Sequence, residues 1–388
     1  MGGATAGLTP GPWRGTIAAL CALLVGIGLA RFAYTPLLPA LVSGEWFTAS
    51  QAAYLGAANL AGYLAGAVLA RTLAARTSTR FALRGCMLLA SLAFLACAQP
   101  WSFAWFAFWR FLAGAMGGVL MVLAAPAVLP NVPANRLGLA GGLIFTGVGL
   151  GIALSGTVVP FTLSWGLTET WVTLGLLSAI LTIVAWNGWP SDAAVAPVSA
   201  RPPSHPALKS LYLEYGLNAF GLVPHMVFWV IFIARGLDLG LAVGALHWVL
   251  FGIGALLGPV TAGYLADRFG FLAVLRWGYL IQAGFVGIMA FSDQLWTIVL
   301  SSLIMGAFVP VCTTLVLGRL RELIPNDPDA QTGGWRWATI AFAVGQAGGA
   351  YGLSFLFDRQ GDYGLLFAVG GSALILALAL NFLLGRRV

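Results

Sequence analysis

Long apolar stretches recur from one end of the chain to the other, and nothing constrains its fold more. Twelve are read, at 15–41, 50–70, 81–99, 102–127, 137–160, 165–188, 209–235, 242–266, 271–291, 294–318, 333–356 and 362–384. A helix of about 20 residues crosses the roughly 30 Å hydrocarbon core of a bilayer. Strands of a membrane barrel would alternate apolar and polar residues in shorter units. These runs are continuous, so the expected class is all-α membrane, with twelve transmembrane helices. Only 8% of the residues are charged. A soluble domain carries about 25% and needs them to face water. The first run is too long for the apolar region of a signal peptide and is read as an uncleaved span.

Between spans 6 and 7 lies WPSDAAVAPVSARPPSHPAL, Trp189 to Leu208, in which five of twenty residues are proline. Such a segment reads as an extended linker. It divides the chain into a six-helix bundle at 1–188, a linker at 189–208 and a second six-helix bundle at 209–388.

The basic residues give the orientation. If the N-terminus is cytoplasmic, Arg14, Arg71, Arg76, Arg80, Arg84, Arg136, Arg201, Lys209, Arg268, Arg276, Arg319, Arg321, Arg336, Arg386 and Arg387 fall inside, fifteen of the nineteen. Only Arg235 and Arg359 fall outside. This bias places both termini in the cytoplasm of a bacterial inner membrane. The net charge of +7 therefore faces anionic lipid, and no nucleic acid is expected. Trp13, Trp46, Trp101, Trp165, Trp189, Trp296 and Trp335 sit at span ends and read as an interfacial belt. Trp229 and Trp248 lie deeper and are weak candidates for a cavity wall. Cys21, Cys86, Cys97 and Cys312 each sit in an apolar run with no C-x-x-C pair, which suits packing rather than disulfide or metal chemistry.

The segment GYLADRFG, Gly263 to Gly270, has the form G-x-x-x-D-R-x-G at the end of span 8. It resembles the loop motif of the major facilitator superfamily, and the six-plus-six layout agrees over the whole chain. The resemblance implies that Gly263 permits close helix approach, that Asp267 faces the start of helix 5, and that Arg268 pairs with acidic groups nearby. Gly270 closes the motif. The first-half counterpart has Ala70 where an aspartate is expected, followed by Arg71, which puts a matching lock between helices 2 and 11 in doubt. Arg110 and Gly114 on span 4 resemble the family's R-x-x-x-G pattern. Gly147 to Gly156, GVGLGIALSG, lies inside a helix, so it is a small-residue interface rather than a nucleotide loop. It also resembles the glycine-rich helix 5 of antiporters, without their Gly-Pro pair. Pro36, Pro126, Pro224 and Pro310 fall on spans 1, 4, 7 and 10, the helices that line the cavity and bend in the superfamily. Pro160 and Pro259 lie outside that set. Three segments, GIGLARFAYTPLLPAL, FTGVGLGIALSG and YGLNAFGLVPHMVF, resemble the YbfB/YjiJ family of bacterial transporters.

Arg31 stands in the first of these segments. An arginine near the bilayer centre costs about 2.5–3.5 kcal/mol, so Arg31 and Arg110 each need a partner or a wet cavity. Arg31 is expected to hold an anionic substrate group, with Tyr34 beside it on the same face and Arg110 across the cavity. His225 and Asn218 are further substrate candidates. Glu214, the one acid within a span, and His225 are candidates for proton coupling. His247, Asn59, Gln282 and Gln346 either line the cavity or bond between helices. The resulting expectation is a monomeric secondary transporter working by alternating access, proton-coupled, for a small organic anion. The alternative cargo is a lipophilic drug or metabolite, exported. A membrane enzyme or receptor is the reading from another class. It lacks a nucleophile with a base and an orienting acid. No cofactor or metal is expected.

Overall fold

The computed structural model describes residues 12–190 and 205–385. They form twelve helical rods. In the first half these are α1 (Trp13–Ser43, an interrupted rod), α2 (Ala49–Arg76), α3 (Thr79–Ala96), α4 (Phe103–Val128), α5 (Leu137–Leu163) and α6 (Leu167–Ala185). In the second they are α7 (Pro206–Gly236, also interrupted), α8 (Leu241–Phe269), α9 (Phe271–Gly287), α10 (Leu295–Leu323), α11 (Pro328–Gln360) and α12 (Tyr363–Leu384). Eleven are long and apolar enough to cross a membrane. The exception, α2, is 28 residues long. Its Gln, Asn, Tyr, Gly and Arg residues lower its hydropathy.

Most of the expected linker, 191–204, lies outside the described residues. Its last residues belong to α7, which starts at Pro206, three residues before the expected edge. Proline suits the first helical position because its missing N–H would be unpaired there anyway. His205 completes the start, its Nδ1 accepting from the Ala207 amide at 3.3 Å.

The halves meet along α5 and α8, where small residues bring backbone against backbone. A Cβ added at Gly149 would strike the Ala255 carbonyl, and one at Gly252 would meet Ala153. The expected glycine interface of α5 is therefore present, and it also serves α1, since Gly151 lies against Gly28. Close packing of this kind substitutes for a hydrophobic drive between helices in lipid.

Hydrogen bonds joining the halves cluster toward the face where α1 begins, called here the Pro12 face. Asp267 accepts from the amides of Gly138 (2.9 Å) and Leu139 (3.1 Å). Arg71 donates to the Asp329 carbonyl at 3.4 Å. Trp335 donates its indole N–H to the Met121 carbonyl at 2.9 Å. Thr146, nearer the middle, donates to the Leu256 carbonyl at 3.5 Å. A cavity of about 230 Å³ remains between the halves on this face, lined among others by Leu129, Leu137, Phe271, Leu317 and Arg321.

The loop motif has the expected place. Gly263 lies directly against Gly138, and Gly270 adopts φ +84° between α8 and α9, a region that favours glycine. Arg268 departs from expectation. It is exposed and lies over the Phe269 ring at 5.7 Å. The one salt bridge among the described residues is Arg319–Glu322 at 2.7 Å.

The tryptophan belt holds at Trp13, Trp101, Trp165 and Trp296, which are 40–73% exposed. It fails at Trp189 and Trp335, which are buried. Trp189 follows the end of α6 at Ala185 and is packed in rather than exposed at the interface. α11 begins at Pro328, ahead of the span edge read from hydropathy, so Trp335 lies eight residues into it rather than at its edge.

Candidate functional site: an arginine between the halves

The rod α1 is an α-helix at Pro12–Leu23, a π-helix at Leu24–Leu29, a turn at residues 30–33, and an α-helix again at Tyr34–Ser43. Wide turns of this kind are frequent at functional sites. The break lies before Pro36, which then occupies the opening turn of the restarted helix, where its missing N–H costs little. In α7 the irregular stretch Pro224–Phe228 begins at the proline itself. Pro126 and Pro310 lie inside helices that continue through them.

The break decides what the two embedded arginines touch. It leaves the Ala30 carbonyl to side chains, and Arg110 donates to it at 2.8 Å. Asn59 donates to the same carbonyl at 3.5 Å and to the Arg110 carbonyl at 3.0 Å. Arg110 lies over the Tyr34 ring at 4.3 Å, and the Tyr34 hydroxyl donates to the Ala52 carbonyl at 2.7 Å. Arg110, Tyr34 and Asn59 thus tie α1, α2 and α4 together. The expected pair of Arg31 with Tyr34 is replaced by Arg110 with Tyr34. Side chains three apart share a face only in a continuous α-helix, and residues 30–33 have left it.

Arg31 goes another way. It is partly buried, whereas Ala30, Phe32, Ala33 and Tyr34 around it are fully buried. Its guanidinium lies 5.4 Å from the Phe32 ring and 5.6 Å from the Tyr63 ring of α2. Its electrostatic neighbours are the hydroxyls of Tyr63 and Tyr215, the latter on α7 in the other half. Tyr215 donates to Thr313 of α10 at 3.0 Å, stacks on Trp335, and lies 4.8 Å from the Phe342 ring. Trp335 in turn bonds Met121 and meets Phe145 edge-on. Residues of both halves therefore pack near Arg31 on its Pro12 side. Tyr63, Tyr215, Thr313 and Trp335 were not among the expected site residues. A tyrosine deep within span 2 and another within span 7 were the available signal.

The remaining candidates lie inside the second half. His225 is fully buried, bonds Ser301 at 2.8 Å through Nε2, stacks on Trp229 and meets Phe367 edge-on. His247 bonds Ser302 at 2.9 Å, and Ser302 also accepts from Trp229. Trp229 and Trp248 are themselves buried. Asn218 donates to Gln282, which donates to Gly278 and to Cys312. Gln346 contacts the Met226 sulfur. Glu214 accepts from Ser210 at 2.6 Å and from Asn381 at 2.7 Å, and Asn381 accepts from Arg276. That chain ties α7, α12 and α9 together. It does not bring Glu214 to Arg31.

An arginine with no carboxylate in ion-pair contact, partly buried in the middle of α1, suits an anion. Its planar fork can bond both oxygens of a carboxylate, and low dielectric strengthens such bonds.

The comparisons with known proteins agree with this architecture. The family model described as "Uncharacterised MFS-type transporter YbfB" matches residues 23–382. The chain belongs to that family. It is a multi-pass membrane transporter of the major facilitator superfamily. The chloramphenicol resistance protein of Streptomyces lividans is 26% identical over 379 residues, 93% of this chain and 92% of the relative. A D-xylose transporter of Levilactobacillus brevis is 34% identical, but over 102 residues that make up 25% of this chain and 21% of the relative. Among solved structures, the human organic anion transporter MFSD10 superimposes with a TM-score of 0.75 at 16% identity, covering 96% of this chain and 99% of that one. The proton:xylose symporter XylE gives 0.74 at 13% identity, covering 97% and 96%. At such identities the structures speak for the fold. The family and these neighbours are transporters, not enzymes.

Proposed function

We propose that this transporter moves a small organic anion across the bacterial inner membrane by alternating access, with Arg31 as the anchor for the anionic group. The observation that carries the reading is the partly buried Arg31, set among aromatic residues of both halves and without an acidic partner in ion-pair contact. Tyr63 and Tyr215 flank the anchor, and Trp335 stacks on Tyr215 and bonds across to Met121. The Pro12 face is the cytoplasmic one on this reading, because the basic residues gather there. The closed side is then cytoplasmic and the arrangement faces outward. Asp267 at the head of α5 supports that state.

Coupling to protons falls to His225 rather than to Glu214. Both oxygens of Glu214 are bonded, whereas Nδ1 of His225 has no partner.

A second reading has its own support. The full-length match to a chloramphenicol resistance protein and the cluster of Tyr215, Trp335 and Phe342 suit export of a lipophilic aromatic compound. The deciding experiment is gradient-driven flux in proteoliposomes, with labelled mono- and dicarboxylates against lipophilic dyes and neutral antibiotics. Anion flux that requires Arg31 supports the first reading. Flux confined to neutral or cationic compounds refutes it.

A further inference from the structure

The cavity between the halves on the Pro12 face measures about 230 Å³. At densities between those of an organic liquid and a protein interior, it seats roughly eight to ten non-hydrogen atoms. The first half supplies Leu129, just after α4, and Leu137 at the head of α5. The second supplies Phe271 of α9 and Leu317 of α10. Gly318 lets the Phe271 ring lie directly on α10, where a Cβ would strike it. Much of the wall is therefore hydrocarbon.

Arg321 and Glu322, near the end of α10, line the same cavity. Their charges do not answer one another. Glu322 accepts from Arg319 at 2.7 Å and, through its other oxygen, from the Phe271 amide at 3.2 Å. Arg321 makes no hydrogen bond or ion pair with any described residue, although its Nε is shut off from solvent. Buried donors are nearly always paired, and an unanswered charge in a low dielectric is costly. A water would give the Nε an acceptor, but it would leave the charge unanswered and the apolar wall wet. An apolar wall with one unanswered cation fits a small amphipathic anion.

We propose that this cavity binds a free medium-chain carboxylate of about six to eight carbons, its head accepting from Arg321 and its chain lying among Leu129, Leu137, Phe271 and Leu317. A phospholipid, with two longer chains, exceeds the space. Because the walls come from both halves, the bound chain touches both only while this face is closed. Its differential affinity therefore favours the closed state. This assignment does not depend on Arg31 or on the identity of the cargo.

Hexanoate tests it on the purified protein, whose melting temperature it should raise saturably. Acetate carries the head without the chain, and hexanol the chain without the charge. At equal concentration neither should match hexanoate. Arg321→Gln removes the charge from a side chain that bonds no other described residue, so the fold should survive. Losing a hydrogen bond to a charged group should move the hexanoate midpoint roughly tenfold upward. Leu317→Trp fills the cavity from its own wall and should abolish the effect. If either variant fails to fold, the other decides. Arg31→Gln should leave the midpoint where it is. No saturable rise, equal stabilisation by hexanol, an unchanged midpoint in Arg321→Gln, or a persistent effect in Leu317→Trp overturns the assignment. So does a midpoint that moves in Arg31→Gln instead, because hexanoate would then sit at the cargo anchor.

Discussion

Asp267 of α8 caps the open start of α5 at Gly138, with one carboxylate oxygen on the Gly138 amide and the other on that of Leu139. The start of α5 has no side-chain cap of its own, since its cap position is Arg136. The matching end in the other half is built differently. The start of α11 is capped from its own chain, Asp327 accepting from the Ala330 amide at 2.9 Å. The aspartate missing at Ala70 of α2 is thus not needed there, and Arg71 ties α2 to the Asp329 carbonyl instead. One cap exists only while the halves are closed on this face; the other persists throughout.

Asp267→Asn should therefore loosen the closed Pro12 face, by about 0.3–2 kcal/mol for a charge at a helix start. A reporter cysteine at Leu317, which lines the cavity there and is buried, should label faster in this background. The four native cysteines are buried and contribute little signal. Unchanged labelling would reduce the motif to a loop decoration. Asp327→Ala should lower thermal stability by about 0.5–2 kcal/mol and leave the labelling rate of Leu317→Cys alone.

Trp335→Phe leaves an aromatic ring, smaller than the indole, against Tyr215 and deletes the N–H that reaches Met121. One net hydrogen bond is worth about 0.5–1.5 kcal/mol. The closed face should open by that amount in the same labelling assay, with far-UV dichroism unchanged. A variant indistinguishable from the native protein would show that this bond does not hold the halves.

Arg31→Gln removes a charge and a two-pronged donor. Two charge-assisted bonds lost should weaken an anionic substrate by about a hundredfold or more. Arg31→Lys keeps the charge without the fork and should cost about tenfold. Both proteins should still insert and elute as the native form does. Normal anion flux in Arg31→Gln would falsify the site.

Topology is checked with single cysteines at exposed positions. Ala75→Cys at the end of α2 should react with an impermeant reagent only in inside-out vesicles. Ser164→Cys just after α5 should react only in right-side-out ones. The reverse pattern would invert the proposed membrane orientation and move the closed face to the outside.

The architecture was legible because continuous apolar runs and a proline-rich divider depend on local composition alone. Asp267 was legible for a similar reason, since its motif carries its own spacing. The partners of Arg31 and Arg110 were not. They depend on where α1 leaves helical register, and a chain of Leu, Val, Gly and Ile from Leu24 to Leu29 reads as ordinary helix. Once that register is lost, Tyr34 turns to Arg110 and Tyr63 takes its place at Arg31. Trp335 was misread because its hydropathy neighbourhood marks a span end, while the helix itself starts earlier, at Pro328. Glu214 drew notice as an isolated acid, but its partners Ser210 and Asn381 stand four and 167 residues away, and only the fold brings the second near.

The wide turns of α1 and α7 occupy corresponding rods of the two bundles, and each holds more chain per turn than an ordinary helix. Tightening one to normal pitch leaves a residue over, and the segment beyond must then rotate by about 100°, one residue's share of a helical turn. Beyond the turn in α1 lies Arg31, and within the turn in α7 lies His225. Each bundle thus carries a built-in swivel, beside Arg31 in α1 and at His225 in α7. Such a swivel re-aims that side chain without displacing the rod ends, so it would be seen as a change in which face of Tyr34–Ser43 a cysteine label reaches, at constant distance between the helix termini.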